Sequence, residues 1–206
     1  MSNNTNYLKD ISEIKAIMQR SSRFISLSGL SGVLAGTYAL VGAYLAYSLL
    51  YQESDVFSYR VVTTDFSTTA QLFTIAIGVL ILSILSGIWF TTRKARRENL
   101  PVWDQQAKRL LINLFIPLAA GGILCLILVN KGYIGIIAPL TLIFYGLALV
   151  NASKFTLSEI RSLGLLEIAL GLLASHFIGY GLLFWALGFG ILHIIYGAWM
   201  YIKYEK

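Results

Sequence analysis

Cysteine occurs once, at Cys125, histidine twice and proline three times in 206 residues. One thiol excludes an intrachain disulfide, and one cysteine with two histidines leaves no zinc-type ligand spacing. Cys125 lies inside an apolar run, where a small buried side chain is the ordinary reading. Charge is scarce as well. Asp, Glu, Lys and Arg make up 13% of the chain, about half the share of a soluble domain. Apolar residues take that place, at 57%. A water-soluble domain of this length cannot hide so much apolar surface, whereas a bilayer solvates it.

A helix needs ~20 apolar residues to cross the hydrocarbon core. Backbone polar groups must be satisfied internally there, so crossings are helices or closed barrels. Barrel strands alternate over ~10 residues; this sequence carries long unbroken apolar runs instead. The fold class expected is therefore all-α, an integral membrane bundle. Six runs qualify, at 24–50, 71–92, 106–129, 133–152, 157–178 and 181–202. The first follows a charged segment and is too long for a cleavable leader, so it reads as a retained anchor. Short links between runs three and four, and between five and six, force antiparallel neighbours.

Charge orients these runs. With the N-terminus inside, all of the sixteen Lys and Arg except Arg60 and Lys131 fall on the cytoplasmic side. That asymmetry predicts cytoplasmic termini and an even number of crossings. The net charge of +6 is thus a topology signal and not a nucleic-acid footprint. Arg93, Lys94, Arg96 and Arg97 form a basic cluster at a membrane boundary, expected to meet anionic lipid headgroups.

Residues 1–23 form a separate cytoplasmic unit in this reading, and 24–206 the transmembrane domain. Tyr7, Leu8, Ile11, Ile14 and Met18 recur at helical spacing opposite Lys9, Asp10, Glu13, Lys15 and Gln19. The pattern predicts an amphipathic helix lying on the membrane or docking a cytoplasmic protein partner. Pro101 suits a first helical turn and Trp103 an interfacial anchor, which predicts that the third helix starts there. Pro117 and Pro139 are expected to kink or break their spans. The outer loop, 52–71, is acidic and rich in Ser and Thr, and names no ligand.

The even runs resemble one another. Ile81–Trp89 aligns with Ile191–Trp199, and Ile143–Gly146 keeps the same phase. The odd runs align more weakly through Gly36, Gly122 and Gly171. Three tandem αα-hairpins account for this, although frequent Leu, Ile and Gly also align by chance.

Ionisable groups deep in a span cost roughly 2.5–3.5 kcal/mol or more at the centre. Glu167, His176 and His193 are the three such residues. Glu167 lies ~12 residues before the turn at Gly179–Tyr180 and His193 ~13 after it, so their depths agree within a few ångströms. Gly164, Gly171 and Ala174 flank Glu167, and Ala186, Gly190 and Gly197 flank His193. Paired across the hairpin, these small residues predict a tight seam with a Glu167–His193 hydrogen bond or ion pair at its centre. Tyr196 is one turn from His193 and joins the expected network. The pair reads either as a structural clasp or as a proton-titrating site. His176 sits ~15 Å away in depth, which argues against a shared haem; it reads as interfacial. Ser28, Gly32 and Gly36 form a further small-residue face in the first span.

The stretch Ile11–Tyr44, ISEIKAIMQRSSRFISLSGLSGVLAGTYALVGAY, resembles the start of a family of small polytopic bacterial inner-membrane proteins. RKARRENLPVWDQQAKRLL, Arg93–Leu111, resembles the same family. That resemblance covers most of the chain and implies no established activity and no catalytic residues. The reading expects no cofactor and no metal. Its first function class is a non-enzymatic scaffold or sensory and regulatory membrane component. A small proton-linked transporter using Glu167 and His193 is the second. An intramembrane enzyme ranks last, because no nucleophile stands in register with the pair.

Overall fold

A computed structural model describes residues 27–50, 66–99 and 101–206. The expected helix before Phe24, the start of the first span and most of the outer loop lie outside the described residues. Within them the chain is helical and has no strand.

Helix α1 is Gly29–Leu50, α2 Phe66–Arg97, α3 Gln105–Asn130, α4 Ile137–Ala152 and α5 Ser158–His176. The last run comprises α6 (Gly181–Trp185), a π segment (Ala186–Leu192) and α7 (His193–Tyr204). Among the described residues, five helices are long and apolar enough to cross a membrane: α1, α2, α3, α4 with its closing turn, and Ile178–Tyr204. The expected fifth crossing is a helix of 19 residues, but Glu159, Arg161 and Glu167 leave it less apolar than these. The outward surface is greasy: Leu80, Leu85, Phe115, Ile116 and Leu126 are each more than half exposed.

Local chemistry moves two boundaries from their expected places. Asp104, not Pro101, opens α3; its carboxylate accepts from the Ala107 amide at 2.6 Å. A side-chain acceptor there satisfies an amide that the helix leaves without a partner. Pro139 falls in the first turn of α4, where a missing N–H costs nothing, and so breaks no helix. Pro117 sits inside α3, which continues past it as one helix.

Helix α4 packs along both α3 and α5, while α1 packs along α2 and along the last run. Side chains of α3, α4, α5 and α7 meet in a core of Leu149, Leu157, Ile160, Leu163 and Met200, with Leu114 against it. The starts of α1, α3 and α5 and the ends of α2 and α7 share one end of the bundle. There Lys94 Nζ donates to the Leu27 carbonyl at 3.0 Å and approaches Glu205 Oε1 at 3.7 Å. Glu205 also accepts from the Gly29 amide at 2.5 Å and from the Ser28 hydroxyl at 3.2 Å. A carboxylate near the end of the chain thus caps the first described helix, where the helix dipole favours negative charge.

Lys94 therefore departs from its expected role at the headgroups. At 100° per residue, Lys94 and Ala95 turn inward and are buried, whereas Arg93, Arg96 and Arg97 face out.

Candidate functional site

Glu167 is wholly buried in the middle of α5. His193 opens α7 directly after the π segment, and its Nδ1 lies 3.4 Å from Glu167 Oε1. The two residues matched in depth from the sequence are thus neighbours in space.

The ring's hydrogen bonds go elsewhere, however. Nδ1 lies 3.0 Å from the Gly188 carbonyl oxygen. A carbonyl can only accept, so Nδ1 carries the proton and donates to it. Nε2 is then the acceptor for the Tyr145 hydroxyl, at 2.8 Å. Both ring nitrogens are satisfied. Among the described residues neither carboxyl oxygen of Glu167 has a hydrogen-bond partner. Glu167 faces the imidazole while its N–H points at the backbone.

Gly188 makes this arrangement possible. A Cβ there would strike a Glu167 carboxyl oxygen and lie 2.6 Å from the Leu142 side chain. Leu142 is itself fully buried. The wide turn of a π segment is rare and recurs at functional sites; here it brings a bare backbone against the carboxyl. Three rings of the last run lie side by side, one turn apart. Trp185 and Phe189 are 5.0 Å apart between centroids, and Phe189 and His193 5.8 Å. Tyr145 adds a fourth ring, 4.9 Å from Phe189.

Tyr145 holds the place expected for Tyr196. Tyr196 instead packs against the apolar core and lines a groove toward the bundle end. His193 turns toward α4, and Tyr145 reaches it from there. The sequence carried a signal for this: Tyr145 lies mid-way along its span, at the depth of the pair.

The small residues do not pair across the hairpin as expected. Gly164 meets Gly146 of α4: a Cβ on Gly146 would lie 2.5 Å from the Gly164 carbonyl oxygen. Gly171 abuts Ile143 and Pro139, also of α4. Gly190 meets Leu40 of α1, and Gly197 lies against Gly29, Gly32 and Val33. Gly36 faces the Gly190 carbonyl. Ser28 precedes α1 and binds Glu205. Ala174 is buried, and Ala186 begins the π segment. The reason is azimuthal. Glu167 is three residues from Gly164, which at 100° per residue puts it about 60° from that glycine, while Gly190 lies in the π segment, whose wider turn sets it off from His193 differently from an α-helix. Each stripe therefore serves one neighbouring helix and each polar residue another. His176 is exposed at the far end of α5, edge-on to Phe177 at 4.7 Å.

A lateral cleft of about 1110 Å³ opens between α1 and α2 on one side and α3 and α4 on the other. Its lining is apolar apart from Thr69, Thr141 and a few others, and Trp185 forms part of its wall. Neither Glu167 nor His193 lines it. Among the described residues no group of three His, Cys, Asp or Glu is placed to hold a metal. Compared with protein-family models, curated proteins and solved structures, the chain matches none.

Proposed function

We propose that this chain is a non-enzymatic sensory or regulatory component of a bacterial inner membrane, with Glu167, His193 and Tyr145 as its response element. The observation that carries this reading is the enclosed Glu167 carboxyl, which faces His193 and has no hydrogen-bond partner among the described residues. A buried polar group left without a partner costs about 1–3 kcal/mol. A clasp selected for stability would direct the imidazole N–H at the carboxyl. An ionisable group kept in a membrane at such a cost is a functional group by default.

In this reading the chain crosses the membrane six times, α5 included, with both termini in the cytoplasm. Supporting it, the exposed Arg93, Arg96 and Arg97 share a bundle end with the start of α3, which carries Lys108 and Arg109. Those residues then meet anionic headgroups on the cytoplasmic side, and the segment 1–23 docks a cytoplasmic protein partner. Enzyme chemistry would need a cleft with convergent reactive groups; the enclosure of Glu167 and His193 weighs against it.

A small proton-linked transporter is the second reading. The observation favouring it is the apolar cleft, joined through the Trp185, Phe189 and His193 rings to Glu167.

One pair of measurements separates the two. Hydrogen exchange in nanodiscs is compared at roughly pH 5 and pH 8, the range in which histidine changes charge, for the wild type and Glu167→Gln. A response element gives pH-dependent protection around Gly188–His193 that the variant lacks, and proteoliposomes show no Glu167-dependent proton flux. Such flux favours the transporter. Protection indifferent to pH in both proteins defeats the sensory reading.

A further inference from the structure

The lateral cleft between the α1–α2 pair and the α3–α4 pair has one open end and one closed end. Gly132–Ile136, the turn between α3 and α4, lines the open end, where Tyr133 is 61% exposed. Tight seams close the other. A Cβ on Gly42 of α1 would lie 2.5 Å from the Val79 side chain of α2. Phe144 of α4 covers Gly121 of α3, and Leu40 of α1 covers Gly190 of the last run. The lining runs from Gly42 to Leu50 along α1 and from Thr69 to Val79 along α2. At 1.5 Å per residue those stretches are roughly 12–15 Å long. The hydrocarbon core of a bilayer is ~30 Å thick, so the cleft is about as deep as one leaflet.

Among the described residues no charged side chain lines the cleft. The Thr141 hydroxyl donates to the Ala138 carbonyl at 2.7 Å. A charged ligand would lose its hydration there and gain no partner. The cleft also opens sideways onto the greasy outer surface. Ile77 and Leu80 adjoin its lining on α2, and Ile123 and Ile127 on α3, and all four are exposed.

We infer that this cleft holds an acyl chain of a phospholipid from the adjoining leaflet, packed against Trp185. Depth, an apolar lining and continuity with the lipid-facing surface select a hydrocarbon chain. Tyr133 at the mouth matches the aromatic belt at headgroup level. Trp185 leads through Phe189 to His193. The inference thus rests on the membrane reading and deepens the sensory one, by naming what meets the far end of the ring row.

The test uses the full chain in nanodiscs of phosphatidylcholine with brominated acyl chains, which quench tryptophan on contact. Trp89→Phe, Trp103→Phe and Trp199→Phe together leave Trp185 as the reporter. Its fluorescence should be quenched. Ala76→Phe, at an exposed position of the cleft lining, fills the cleft without overpacking a buried neighbour, and the quenching should be lost. Leu80→Phe, exposed and outside the lining, should keep it. An unquenched Trp185 means that the cleft is closed or filled by protein, and overturns the inference. Quenching that survives Ala76→Phe, or that both variants lower alike, overturns it too. A protein keeping Trp89 in place of Trp185 tests the membrane reading separately, because Trp89 is 66% exposed on α2; no quenching there defeats that reading. All of this is read at a single pH, so failure of the pH response of Glu167 and His193 is a distinct result.

Discussion

The Tyr145 hydroxyl of α4 and the His193 Nε2 of α7 meet at 2.8 Å, a bond between residues 48 apart in sequence. With the Gly188 bond on the other nitrogen, it holds the imidazole in one tautomer and one orientation. Tyr145→Phe should therefore leave a buried acceptor unpaired and cost about 1–3 kcal/mol. Thermal unfolding in detergent reads this, and an unchanged midpoint would mean that the bond does not form in the folded protein.

Glu167 should behave in the opposite way. Its carboxyl has no hydrogen bond to lose among the described residues, and a buried polar group without a partner carries a desolvation cost of about 1–3 kcal/mol that an apolar side chain does not. Glu167→Leu should retain or raise stability, by up to about 3 kcal/mol, while abolishing the pH-dependent exchange around Gly188. A clear loss of stability would identify the residue as a structural clasp.

The glycine seams offer a matched comparison. A Cβ on Gly146 meets the Gly164 backbone oxygen at 2.5 Å, and one on Gly197 the Gly29 oxygen at 2.7 Å. Backbone cannot swing aside, so Gly146→Ala and Gly197→Ala should each cost about 1–3 kcal/mol by overpacking. Gly78, Gly87 and Gly122 have nothing within 4 Å of a new Cβ. Alanine there should be neutral or gain about 0.5–1 kcal/mol from helix propensity. If both sets behave alike in chemical denaturation, the seams are misplaced.

Glu205 closes the charged end. Its carboxylate caps the Gly29 amide, and Lys94 lies beside it. Glu205→Ala should cost about 1–2 kcal/mol, the usual scale of a lost helix cap. Faster hydrogen exchange should appear first at Gly29–Gly32; uniform exchange along α1 would show that the cap is not local.

Much of this molecule was legible before any coordinates. Apolar run length located the helices, because a run long enough to cross a bilayer has one economical backbone conformation. Counting residues from a turn brought Glu167 and His193 to the same depth, because rise per residue is constant in a helix. What counting could not supply was azimuth. Which neighbour each face meets depends on how the other helices surround it, so Gly164 and Gly171 were matched to the wrong helix. The same holds for Tyr145: its depth is legible in the sequence, but its turn toward His193 from another helix is not, whereas Tyr196 stands out by chain proximity alone. Lys94 looked like its three basic neighbours until its inward turn placed it beside Glu205.

Composition and spacing suffice to show a helical chain too apolar to expose to water, with Glu167 and His193 as costly residues at one depth. Hydropathy and helical rise depend on composition and spacing alone, so they need no tertiary information. Only the packed helices show that the imidazole bonds Gly188 and Tyr145 and that Glu167 has no hydrogen-bond partner among the described residues. Hydrogen-bond direction is set by a few tenths of an ångström and by the π turn at Ala186–Leu192, and the spacing of residues along the chain encodes neither.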